Sequence, residues 1–122
     1  MASFITGHAM HPDWRMALAL AAAQIDAQRQ TQAGPFTLGL VYFTDAYAPH
    51  AQALVDELKQ RWPGLSWAGC VGVGVAASGV EYIDEPALVL MLCDLPRAQF
   101  EVFSGAQPLS RIQADTALVH AD

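Results

Sequence analysis

Asp45, Tyr47 and His50 fall in one short stretch, and Gly69-Cys70-Val71-Gly72-Val73-Gly74 in another, each directly after an apolar run. An acid, a phenol and an imidazole can bind ligands or move protons. Glycines at alternate positions let backbone approach a ligand closely or take positive φ, and their N–H groups can form an anion-binding concavity. The same glycines also suit a bulged or tightly bent strand that binds nothing. The spacing is Gly-x-Gly-x-Gly, without the third glycine after two residues that a dinucleotide fingerprint needs, and no P-loop lysine follows. Cys70 assisted by His8, His11 or His50, with Asp45 as orienter, would make a nucleophile, but no local signature marks one, and such a Cys is commonly a small buried hydrophobe. His8 and His11 have no second Cys or carboxylate at ligand spacing, so no metal site is expected. The expected ligand-binding residues are Asp45, Tyr47, Cys70, Val71, Gly72, Val73 and Gly74, with no catalytic residue. They suit a zwitterion, the amides of Val71 to Gly74 taking its carboxylate and Asp45 its ammonium.

The two stretches meet only if the elements before them lie side by side. Pro12 opens a helix in which Trp14, Ala17, Leu18, Ala21, Ala22 and Ile25 recur at helical spacing, running to about Gln30. Gly34-Pro35 ends it, and the apolar run from Thr37 to Thr44 reads as a strand buried on both faces. Pro49 starts a second helix with Leu54, Val55, Leu58 and Trp62 as its core stripe, stopped by Pro63-Gly64, and Leu65 to Val71 is the next strand. Strand, helix, strand with short connections predicts a parallel pair, and Asp45 with Gly69–Gly74 then sits at its carboxyl edge, where open α/β sheets bind ligands. Val75 to Asp94 reads as an antiparallel pair with a break at Gly79 and a turn near Glu81, Asp84 and Glu85. Further strands are expected over Arg97–Ser104, around Phe100, Val102 and Phe103, and over Thr116–His120. Trp14, Trp62 and Trp67 are expected in core or interface. The fold class is α/β: a mixed sheet with a parallel βαβ core, antiparallel C-terminal strands and two main helices.

With 122 residues the chain is one domain, and 53% hydrophobic against 15% charged residues excludes a disordered tail. A net charge of −6 with only six scattered Lys and Arg argues against nucleic acid. No apolar run approaches the roughly 20 residues of a membrane span, and no signal peptide is apparent. Two cysteines imply no disulfide framework and point to a reducing cytoplasm. Two helices leave one face of a parallel-cored sheet under-covered, so a dimer or higher oligomer joined through the C-terminal strands is expected.

Gly69-Cys70-Val71-Gly72, followed by Val75-Ala76-Ala77-Ser78-Gly79-Val80-Glu81 and Glu85-Pro86-Ala87-Leu88-Val89-Leu90-Met91-Leu92, with Leu40-Val41-Tyr42-Phe43 upstream, resembles the N-terminal domain of FIST proteins (F-box and intracellular signal transduction). The resemblance implies a cytoplasmic, non-catalytic sensory domain of a signal transduction protein that binds a small molecule, with amino acids as proposed ligands and a C-terminal FIST domain as its partner. Residues 1–122 then form a single FIST N-like domain, cut short at its C-terminus, with no resident cofactor. Two alternatives stay open: a haem-based nitric oxide sensor, with none of His8, His11, His50 or His120 mapping onto the ligating position, and a Cys-dependent hydrolase using Cys70.

Overall fold

The computed structural model describes residues 3–32 and 34–121. Along them run β1 (Phe4–Met10), α1 (Trp14–Arg29), β2 (Leu38–Thr44), a 3-10 turn (Asp45–His50), α2 (Ala51–Arg61), β3 (Ser66–Gly72), β4 (Gly74–Ala77), β5 (Val80–Ile83), β6 (Ala87–Cys93) and a short 3-10 turn (Arg97–Gln99). The main sheet has the order β1-β6-β2-β3, with β2 and β3 parallel and β6 antiparallel to both its neighbours. The α/β class, the mixed sheet, the two helices and the parallel β2–α2–β3 unit are those read from the sequence.

A strand that is apolar at every position must be covered on both faces. Ala87–Cys93 is such a strand, and it takes the centre of the sheet, every residue buried except the half-buried Met91. In register, Ile5, Leu92, Leu90, Leu88, Val41 and Phe43 share one face, and both helices lie on it. From α1 come Ala17, Leu18, Ala21, Ala22 and Ile25, and from α2 Leu54 and Leu58. Each fully buried Leu or Ile here contributes roughly 1.5–3 kcal/mol. The small residues set how close α1 comes: a Cβ at Gly7 would collide with the Ala21 carbonyl oxygen. Asp13 caps α1 by accepting from the Arg15 N–H at 2.9 Å.

The opposite face carries a two-stranded antiparallel hairpin, β4–β5, which packs across β1, β6 and β2. Here the expected antiparallel pair over Val75–Asp94 needs correction. The reversal is at Ser78-Gly79, where Gly79 takes φ +79, and β6 pairs with β1 and β2 rather than with the segment before it. Arg97–Ser104 and Thr116–His120 are not strands either. The Glu101 carboxylate accepts from the N–H groups of Ser110 and Arg111 at 3.0 and 2.9 Å, folding the segment on itself and taking N–H groups that a ladder would need. Of the C-terminal strands expected to join copies of the chain, β6 is central and buried, Arg97–Ser104 and Thr116–His120 are irregular, and the β4–β5 hairpin is a strand pair.

Candidate functional site

In a parallel pair the carboxyl ends come out together. Thr44 stands opposite Gly72, so Asp45 and Val73 leave the sheet side by side, both exposed. Asp45 and the end of the glycine run therefore share one edge, as the spacing implies. The run is less of a loop than expected: Gly69 to Gly72 belong to β3, Val73 is a bend, and Gly74 opens β4. Gly72 and Gly74 do not take the positive φ of an amide nest, and Gly69, at φ +157, is close to extended rather than nest-like, while a Cβ there would collide with the Val41 carbonyl oxygen. Gly69 is thus required by the close approach of two strands.

The side chains separate into groups. Tyr47 is 1% exposed, and its hydroxyl lies 2.5 Å from the His11 carbonyl and 2.9 Å from that of Pro86, so it fastens the 3-10 turn to two loops and is withdrawn from any ligand. Burial pushes its pKa up. Thr44, buried beside it, donates to the Glu85 carbonyl at 2.6 Å and accepts from the Ala87 N–H at 3.0 Å. Cys70 is exposed and lies opposite Tyr42, whose phenol pKa is raised by burial and by the Cys70 thiol. The Tyr42 hydroxyl meets His120 Nε2 at 2.8 Å.

Two cavities flank β3. One, about 200 Å³, is lined by Tyr42, Cys70, Gly72, Gly74, Val75 and Ala76, between the sheet and β4. The other is a groove of about 930 Å³ between α2, β3 and the segment after Arg97. Of the predicted site residues, Cys70, Gly72 and Gly74 line the first, Cys70 and Val71 the second, and Asp45, Tyr47 and Val73 neither. Lys59, Arg97, Glu101 and Arg111 also line the groove. Sequence reasoning missed these four, because they are spread from α2 to the last irregular segment and only the fold gathers them. Hydrogen bonds, first from the Ser110 N–H, hold the Glu101 carboxyl below its ordinary pKa.

The histidines are engaged elsewhere. His8 Nδ1 meets the Tyr82 hydroxyl at 2.6 Å, His11 Nδ1 accepts from the Asp13 N–H at 2.9 Å, His50 stacks on Trp14, and His120 holds Tyr42. None of the four lines either cavity, so the residues do not fit an axial haem ligand there, and none is hydrogen-bonded to Cys70 among the described residues. Among the described residues no group of three His, Cys, Asp or Glu could hold a metal ion, and no helix is long and apolar enough to cross a membrane.

A family model of the FIST N domain matches residues 37–121, from β2 through the glycine run and β6 to the last described residue. No curated protein and no solved structure matches the chain.

Proposed function

The chain belongs to the FIST N domain family, a family of sensory domains in signal transduction, and from that premise we propose that it is a non-catalytic receptor for a small zwitterionic metabolite such as an amino acid. The reading rests on one observation: the carboxyl ends of two parallel strands stand together beside a cavity lined by Cys70, Gly72 and Gly74, with Asp45 at the same edge. At about 200 Å³ the cavity has the volume share of roughly seven waters, the scale of a single small metabolite rather than a dinucleotide. The N–H groups along Gly72–Gly74 take the carboxylate and Asp45 the ammonium. The domain works in the cytoplasm alongside a C-terminal FIST domain that carries the signal onward.

Calorimetric titration with the common amino acids tests this. At least one should bind, and Asp45→Ala should weaken it by over tenfold, since a charge-assisted bond contributes roughly 1.5–3 kcal/mol. Unchanged affinity in the variant removes Asp45 from the site, and no binding across the series contradicts the amino-acid reading.

A further inference from the structure

The 930 Å³ groove has a wall that small-molecule pockets rarely have. Every residue from Leu65 to Val71 lines it. Successive side chains of a strand point to opposite faces, so a groove that touches all of them, together with Val41, Phe43 and Val55 on the helix-covered face, runs from that face over the strand's edge. Among the described residues β3 is an edge strand, paired only with β2. The Ser66 N–H donates to the Thr37 carbonyl at 2.9 Å, which turns the backbone of Ser66, Ala68 and Cys70 inward by the alternation of the parallel ladder and that of Trp67, Gly69 and Val71 outward. Among the described residues no backbone hydrogen bond joins those outward groups to the segment across the groove.

The surround carries a net positive charge. Lys59, Arg97 and Arg111, half of the six Lys and Arg in a chain of net charge −6, line the groove against the single carboxylate of Glu101. Glu101 is engaged by Ser110 and by Arg111, whose guanidinium also donates to the Phe100 carbonyl, and Arg97 donates to the Gly64 carbonyl, whereas Lys59 forms no ion pair among the described residues. A second copy of the chain docking here about a two-fold axis would set these cations against their own counterparts.

We propose that the open edge of β3 is a docking site for an extended acidic segment of a partner protein, which adds a strand beside β3 through the outward groups of Trp67, Gly69 and Val71 and sets its carboxylates against Lys59, Arg97 and Arg111. The inference stands independently of the small-ligand reading.

The probe is a short capped peptide of alternating valine and glutamate, about as long as β3, with valine–lysine and alternately N-methylated counterparts. Calorimetry should show the glutamate peptide binding over tenfold more tightly than the lysine peptide, N-methylation of the residues facing β3 should abolish binding, and Lys59→Glu should weaken it several-fold. Equal affinity for the two charge types, survival of binding after N-methylation, or no binding of any peptide would each overturn the proposal. So would a dimer, seen by light scattering, whose formation protects the Trp67 and Gly69 amides from exchange, because the edge would then belong to a second copy.

Discussion

At one margin of the sheet β1 turns the backbone of Thr6 and His8 outward, and at the other β3 turns out that of Trp67, Gly69 and Val71. The β1 margin is closed by two side chains of α1. Gln28 accepts from the Thr6 N–H at 3.2 Å and donates to the Thr6 carbonyl at 2.6 Å, and Gln24 does the same for His8 at 3.0 and 2.8 Å. Each amide stands in for one residue of a neighbouring strand, which is how an edge is kept from pairing with another chain. Among the described residues the β3 margin has no such cover, and it opens on a basic groove. One molecule thus blunts one edge and leaves the other available, and the difference locates its interaction surface.

The largest expected effect comes from spoiling the strand pair that presents the open edge. Gly69→Ala puts a methyl group against the Val41 carbonyl oxygen, forcing β3 away from β2. A loss of about 3 kcal/mol is expected, and a fall in Tm on the order of 10 °C by calorimetry. Gly72→Ala should cost far less, since the nearest atom its Cβ would meet is the Gly74 carbonyl oxygen, at 3.1 Å. Next in size is the converse change, opening the closed edge. Gln24→Ala with Gln28→Ala removes the mimic strand at a cost of roughly 2 kcal/mol in denaturant unfolding and should make the protein associate as its concentration rises. A double variant that is as stable and as monodisperse as the parent would erase the contrast between the edges.

The parallel β2–α2–β3 unit was legible in the sequence because helical spacing through Leu54 and Leu58 sits between two apolar runs with proline and glycine at the joints. β1 was not legible: its buried positions Ile5, Gly7 and Ala9 alternate, but two of the three are too small to give a hydrophobic signal, the glycine being needed for contact with α1, and its outer backbone is served by glutamines far along the chain. The Gly69–Gly74 run was read as a ligand loop, yet its first glycine answers to the Val41 carbonyl across the strand pair, a demand that only the register reveals. Alternation through Phe100, Val102 and Phe103 looked like a strand, but Glu101 takes the backbone amides of Ser110 and Arg111 instead. The basic groove has no local signature, since Lys59, Arg97 and Arg111 become neighbours only when the chain folds.

Amide hydrogen exchange read residue by residue tests the asymmetry of the two edges most directly. The Thr6 and His8 amides, bonded to Gln28 and Gln24, should exchange slowly, while those of Trp67, Gly69 and Val71 exchange rapidly although their neighbours Ala68 and Cys70 are protected. Protection along β3 that matches or exceeds that along the outer side of β1 would show the edge already covered and contradict the account.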